Sequence, residues 1–403
     1  MGQYTAKQGD TFASISRRLF GTEKETSRIR SANPSVAETM PAGEIVFIPG
    51  PPAKTKINAG ADDITVLIDG KSFKNYLNVS ISMAFNSFDS ASISAPFDPG
   101  NLEFRKIFRP FAYSDVAIYV GEELIFSGTQ MGVQPNVTPT SKTVTLSAYA
   151  RCAVINDSCV PISAYPVSLR GFNLKKIAEV ITEAFPFSVV AEIDTGAKFD
   201  SASIQTVDKI AQFLTTLAKQ RDIVLTNNAN GDLLLTKSLD GESVAFLSGN
   251  AAPVISVSPR FDEQNYFSDY TAILPVVVRQ TPTQYTAKNK KLTSILRVDN
   301  FNASDARNGD EKIVAESRRA RGLANSVSYH VELATIRDPD GLLYRANSNV
   351  NLQANDAMIY NDTKFFIRGV SMELSPASKT CSLDLVLPEA YNGKEVDKFP
   401  WED

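Results

Sequence analysis

The sequence predicts a mainly β protein with α+β parts. A small N-terminal βααβ module is followed by two strand-rich antiparallel regions with an α+β region between them. Three observations carry this reading. Apolar residues alternate with period two through residues 64–151, and strand-like runs return after Gly249. Between those regions, over residues 173–219, apolar residues recur at helical spacing instead. Ahead of them, GPPAKTKINAGADD at 50–63 is rich in Pro, Gly, Ala and Lys and reads as a linker. At 403 residues the chain is too long for one ordinary domain. The expected division is 1–50, a linker at 51–63, strand-rich 64–152, α+β 153–248, strand-rich 249–391 with an insertion and a helix, and a tail at 392–403.

In the first module, Tyr4 opens a short strand, and Gly9 and Asp10 make a turn. Asp10 or Thr11 can cap the helix that follows by accepting from its free N–H groups. Phe12, Ile15, Ser16 and Leu19 form one stripe of that helix, and Gly21 ends it. A second helix is expected over 25–32, stopped at Asn33-Pro34 because a residue before proline disfavours helical backbone. EIVFIP is the closing strand. The pieces Y-x-A-x-x-G-D-T-F-x-x-I, N-P and P-A-G-E-I-V-F-I-P resemble the LysM module in order and spacing. That resemblance implies a glycan groove of peptidoglycan or chitin type formed by Gly9, Asp10, Thr11, Asn33 and Pro34. The same residues are also what helix caps and turns require, so a protein clamp stands beside sugar binding. Fewer than fifty residues are marginal alone, and docking on a larger assembly would stabilise them.

Next come short strands. ITVLIDG turns at Asp69-Gly70. In LNVSISMAF, Leu77, Val79, Ile81 and Met83 face one way and Asn78, Ser80 and Ser82 the other. SASISAPF repeats the alternation, VAIYVGEELIFSGT is a hairpin around Gly121-Glu122, and KTVTLSAYAR closes the set as an antiparallel barrel or sandwich. In the α+β region Leu174, Ile177, Ala178, Ile181 and Phe185 share one helical face. Val207, Ile210, Ala211, Leu214 and Leu217 share another, with Ser203 or Thr206 as candidate caps. Asn228-Ala229-Asn230-Gly231 then turns a hairpin between IVLTN and DLLLTK. Beyond Gly249, the polar span 279–308 with KNKK at 288–291 reads as a solvated loop or insertion. A helix over DEKIVAESRRARGLAN places Glu316 near Arg319 and Arg321 on an exposed face. DPDG at 338–341 is a turn, and Phe399 and Trp401 are the expected anchors of the tail.

Composition excludes several classes of function. Net charge is −4 with no long basic run, which argues against specific nucleic-acid binding. Cys152, Cys159 and Cys381 are an odd number in a long chain, so reduced, mostly buried thiols are expected rather than a disulfide framework. Residues 1–10 lack an apolar signal core, and no run approaches the roughly 20 apolar residues of a membrane span. A chain made and folded in a cytosol is therefore expected. His330 is the single histidine, which excludes a His-cluster zinc site, and its place in a strand marks it as structural. No phosphate-binding or dinucleotide glycine motif is present, so neither cofactor nor metal is expected. The enzymatic rival is a cell-wall lysozyme, which needs two carboxylates flanking the sugar bond. In the familiar phage lysozyme pattern an Asp stands nine residues after the catalytic Glu, and no Glu here has an Asp at that offset.

The body, residues 62–391, resembles the Mu-like baseplate hub family of tailed phages. The matching pieces are SRRARGLANSVSYHVELATIRDPDGLLYRANSNVNL, FFIRGVSMEL and CSLDLVLPEAY, together with the helix-then-hairpin element at 203–237 and the IDGK and VAIYVGEELIFSGT hairpins. The resemblance implies a contractile-tail hub with no enzymatic activity. It implies a homotrimer in which each subunit contributes two hub-type β-barrel domains, so that a ring joins the six-fold tail tube to the three-fold spike. Expected partners are other copies of the chain, the central spike protein, the tail tube protein and other baseplate proteins, with the tape measure protein and peptidoglycan as further contacts. The expected place is the virion tail baseplate, assembled in the host cytoplasm. A peptidoglycan-binding or cell-wall-degrading tail protein, and the hub of a phage-derived non-viral particle, remain as alternatives.

Overall fold

The computed structural model describes residues 2–15, 26, 30, 33, 36–48, 62–199, 202–238, 240–274, 283–303 and 311–402. Two compact units divide the chain, Met1–Ala61 and Asp62–Asp403. Of the expected linker at 51–63, residues 51–61 lie outside the described residues.

In the first unit, β1 (Gly2–Thr5) pairs antiparallel with β4 (Ile45–Ile48), and β2 (Asp10–Thr11) with β3 (Thr39–Met40). Residues 12–15 are helical, and Thr11 caps them: its Oγ1 accepts from the Ser14 N–H at 3.1 Å while Ser14 Oγ accepts from the Thr11 N–H at 2.9 Å. Phe12 and Ile15 pack with Ala6, Met40 and Val46. The rest of the expected stripe, Ser16 and Leu19, lies outside the described residues. Of the second helix only Thr26 and Arg30 are described, both helical.

The second unit opens with β5 (Ile64–Ile68) and β6 (Lys71–Phe73), joined at Asp69-Gly70, both at positive φ as a tight hairpin turn demands. Then come β7 (Asn78–Ala84), β8 (Ser90–Pro96), helix α1 (Leu102–Ile107), β9 (Asp115–Val120), β10 (Glu123–Val137) and β11 (Lys142–Ala150). Val79, Ile81 and Met83 are buried as the alternation predicts, whereas Leu77 precedes the strand and is exposed. Helix α2 (Leu174–Ile181), β12 (Val189–Ala191), α3 (Ile210–Lys219), β13 (Val224–Asn227) and β14 (Leu233–Thr236) form the α+β part, with its own core and a three-stranded sheet in the order β12-β14-β13. Helix α3 starts later than expected. Lys209 stands at its N-terminus without a side-chain cap, so neither Ser203 nor Thr206 fills that role. Val207 falls before the helix and is 76% exposed, outside the stripe.

The chain then returns to strands: β15 (Ser243–Ser248), β16 (Val254–Phe261), β17 (Asp269–Ile273), β18 (Gln284–Lys288), β19 (Val298–Asn302), helix α4 (Glu311–Ser326), β20 (Val327–Leu333), β21 (Ser348–Ala354), β22 (Ile359–Leu374), β23 (Lys379–Val386) and helix α5 (Glu389–Asn392). The polar span read as a solvated loop or insertion is an insertion with strands of its own: β18 and β19 flank β17 in a sheet, with a small core of Tyr270, Ala272, Ala287 and Ala315 beneath α4. The arginines of α4 reach other elements rather than Glu316: Arg318 bonds Asp299 at 2.6 Å and Arg319 bonds Glu395 at 2.9 Å. Tertiary partners within reach outcompete neighbours on the same helix face.

The expectation of two separate barrels gives way to a single larger object. Thirteen strands share one sheet, whose longest path runs β16-β20-β23-β22-β7-β8-β11-β10-β9-β5-β6. Among the described residues this path is open and closes into no ring. The early and late strand regions meet at β7 and β22, where Ile81 stands opposite Met372 and Met83 opposite Val370. One apolar core therefore spans both regions. The sheet is mostly antiparallel, with β15 beside β21 as a parallel pair.

A buried polar node helps clasp the α+β part to this sheet. Asp89, 8% exposed, donates its N–H to Asn227 Oδ1 at 2.7 Å, and its Oδ2 accepts from Asn227 Nδ2 at 2.8 Å. Thr226 Oγ1 donates to the carbonyls of Ala84 and Ser87, each at 3.0 Å. Burial pushes the Asp89 carboxyl up to about 7, and its hydrogen bonds from Asn227 and Ala84 oppose this only in part. Nearby, Gly231 ends the expected turn at φ +76, with the Ser127 carbonyl oxygen 2.4 Å from where a Cβ would stand.

Two outcomes are expected. Gly231→Ala combines a left-handed backbone with a backbone clash and should destabilise by roughly 2–4 kcal/mol in urea unfolding. Asp89 should titrate near pH 7 in carbon-13 NMR of its carboxyl, and a midpoint near 4 would mean that its hydrogen bonds outweigh burial. Because the folded value lies above the ordinary 3.8, the folded state holds a proton between about pH 4 and 7 that the unfolded chain has released. This group therefore adds stability as pH falls through 7, by about 1.4 kcal/mol per unit, and the gain is complete near 4. Asp89→Asn should remove that slope.

Candidate functional site

Residues that could carry chemistry are dispersed. Among the described residues no three or more His, Cys, Asp or Glu side chains gather as a metal-holding group. All three cysteines are free. Burial raises the thiols of Cys152 and Cys381, the latter to about 12, so neither presents a thiolate near neutral pH. Cys159 is partly exposed, and its Sγ lies 3.5 Å from the Val207 carbonyl. His330 is exposed on β20, between Ser258 and Asp384 of the flanking strands.

The N-terminal residues named from the sequence serve their own backbone. Gly9 takes φ +84 and donates its N–H to Met40 O at 3.0 Å. Asp10 is buried, and its carboxylate accepts from the Lys7 N–H at 2.9 Å and from Ser14 Oγ at 3.3 Å. Thr11 is the helix cap already described. Asn33 is buried, its N–H donating to Arg30 O and its carbonyl accepting from the Val36 N–H. Pro34 lies outside the described residues.

Exposed apolar surface is better organised. Among the described residues, strand β16 is an edge of the large sheet, with one side of its ladder unpaired along Val254–Phe261. Pro259 sits in it, as an edge strand permits. Ile255 is more than half exposed on this edge. Beside it runs a groove of about 500 Å³ lined by Phe261, Tyr266, Ile295, Met358, Phe399 and Trp401. The tail builds one wall: Trp401 stacks on Phe399 at 4.6 Å and meets Phe261 edge-on at 5.0 Å. Glu402 ties the wall down, accepting from the Phe399 N–H at 2.8 Å and from Lys291 Nζ at 2.9 Å. Both contacts hold its carboxyl below the ordinary range, the Phe399 N–H most strongly. Lys290 pairs with Glu395 at 2.7 Å, so two lysines of the KNKK run fasten the tail.

A second exposed cluster is the loop between α1 and β9. Phe111 is 86% exposed and Tyr113 58%, and both hold positive φ. Non-glycine residues in that region store strain of roughly 1–3 kcal/mol each, which surrounding bonds must hold. Gln130 does so: its Nε2 donates to Arg109 O at 3.0 Å and its N–H to Ser114 O at 2.9 Å. Sequence reasoning flagged Phe399 and Trp401 but not Ile255, Ile295, Met358 or Phe111. Pro259 was the available signal for the edge, whereas a lone exposed apolar residue leaves none.

Residues 152–237 match the family described as baseplate hub protein gp44-like, second domain. No curated protein sequence matches the chain. Among solved structures, the 43 kDa tail protein of prophage MuSo2 from Shewanella oneidensis superposes with a TM-score of 0.70 at 18% identity, over 81% of this chain and 99% of that one. A tail protein from Neisseria meningitidis gives 0.67 at 14% identity, over 81% and 97%. An Escherichia coli component of the type VI secretion system, described as structurally similar to the T4 tail proteins gp27 and gp5, gives 0.50 at 11% identity, over 81% and 78%. The match coincides with the α+β part clasped by Asp89, and the fold likeness extends over most of the chain. Residues 152–237 thus match the second domain of gp44-like baseplate hub proteins, within a chain that has the fold of phage tail proteins.

Proposed function

We propose that the chain is a structural, non-enzymatic subunit of a contractile-tail baseplate hub, a trimeric ring joining the six-fold tail tube to the three-fold spike. The observation that carries this is that the gp44-like match falls on a part inserted in the chain between strands of one large sheet rather than appended at its end. Large shaped surfaces suit such a role better than a reactive pocket. The open β16 edge and its apolar groove supply surface of that kind, because an uncovered edge invites a partner strand or side-chain layer. The partners are other copies of the chain, the spike, the tail tube and neighbouring baseplate proteins, in the virion after assembly in the host cytoplasm. We read the N-terminal unit as a LysM-type clamp on a neighbouring protein. The inward use of Asp10 and Asn33 favours this over peptidoglycan contact.

Light scattering on the full chain, alone and with the candidate spike protein, tests the reading. A trimer that gains a spike trimer is expected. A persistent monomer that ignores the spike and sediments with cell-wall sacculi would overturn it. Within the ring, Ile255→Lys with Ile295→Lys should weaken self-association about tenfold or more and leave the unfolding midpoint nearly unchanged, since both side chains are exposed. Full retention of the trimer would remove the β16 edge from the contact.

A further inference from the structure

A second cavity of about 500 Å³ lies between α3 and the β18-β17-β19 sheet with its helix α4. It is cationic. Lys219 stands on α3, and Arg318 and Arg321 one turn apart on α4. Arg318 is already engaged, bonding Asp299 at 2.6 Å and lying over the Phe301 ring at 4.3 Å. Arg321 is not. It is partly buried, yet among the described residues its guanidinium makes no hydrogen bond or ion pair. Asp222 acts on it by charge but makes no bond to it, and both border a smaller second cavity. Lys219, at the exposed mouth, likewise makes no bond among the described residues; partial burial and then Arg321 and Arg318 disfavour its charged form.

An independent observation points the same way. Gln220 lines this cavity, is 5% exposed, and its side-chain amide makes no hydrogen bond among the described residues. Its amide atoms are reached from the cavity rather than sealed in the core, so its donors and acceptor are open to an oxyanion there. A guanidinium with its fork unspent is the best side-chain match for a planar or tetrahedral oxyanion. The cavity gathers its cations at one place rather than along a basic track, so it suits a small anion and not a nucleic-acid backbone.

We propose that this cavity is a binding site for a small polyanion bearing carboxylate or phosphate oxygens, held by the Arg321 guanidinium, the Gln220 amide and the Lys219 ammonium. Aromatic walls from Phe267, Tyr270 and Phe301 exclude water around it and strengthen those contacts. Gly322 makes room for the Tyr270 hydroxyl beneath the site, since a Cβ there would stand 2.5 Å from it. The site involves neither the β16 edge nor its groove, so it stands or falls separately from the hub reading.

The test is calorimetry and thermal unfolding of the full-length protein with sodium pyrophosphate and with trisodium citrate, against sodium chloride at matched ionic strength. Saturable binding of at least one probe is expected, with a rise in Tm that sodium chloride does not give. Pyrophosphate alone would assign a phosphate ligand and citrate alone a carboxylate ligand. Lys219→Gln and Arg321→Gln should each weaken binding about tenfold, the loss of one charge-assisted hydrogen bond. Absence of saturable binding to both probes, or full affinity in both variants, overturns the site. Should Arg321→Gln fail to fold, Lys219→Gln, altered at an exposed position, decides the matter alone.

Discussion

The pairing of β7 with β22 is the contact on which the rest of the second unit depends. It joins residues 79–84 to residues 369–374 in one ladder, nearly three hundred positions apart in the chain. Without it the early and late strand regions would be two sheets with two edges more and two small cores. With it, Ile81, Met83, Val370 and Met372 belong to a single apolar interior that continues from β5 to β20. Strand β22 is long enough, at sixteen residues, to pair with β21 and β23 as well as β7, so it distributes the sheet's register in three directions. Such distant pairing is reached only after a large loss of chain entropy.

Everything with a hub-like character is arranged around that sheet. The α+β part enters between β11 and β15 and is fastened by the buried polar Asp89–Asn227 node beside apolar contacts of Phe88 and Val224. A carboxylate in that position costs desolvation, but its two-way pairing with one asparagine also sets a unique docking register. The insertion β17 to β19 and helix α4 are held in turn by arginines that cross to Asp299 and Glu395. The tail then closes over β16 through Phe399 and Trp401. The edge of β16, its groove and the strained aromatic loop are left at the surface.

Much of the candidate site was written locally and much was not. The tail aromatics were legible as anchors because an isolated polar tail with two large rings has few other uses for them. The N-terminal set was legible as a motif, yet Asp10 and Asn33 turn inward, which spacing alone could not decide. Arg319 and Arg321 were read as dressing for an exposed helix face. One of them instead crosses to the tail and the other faces a cavity, because the elements packed over α4 come from 76 positions downstream and about a hundred upstream. Lys219 and Gln220 gave no sign at all, since a helix ending in Lys-Gln is ordinary until something is laid against it.

By itself the sequence determined the short-range events. It set the alternating strands, the tight turns at Asp69-Gly70 and at Gly231, and most of the apolar stripes of α2 and α3 (Phe185 falls beyond α2), because each depends on neighbours a few residues away. Tertiary structure alone decided that two strand regions form one open sheet rather than two barrels, that a polar insertion becomes a sheet of its own, and that three cations meet beside an unpaired amide. Those outcomes depend on which distant surfaces come together, and periodicity carries which face of an element is apolar but not what that face will meet.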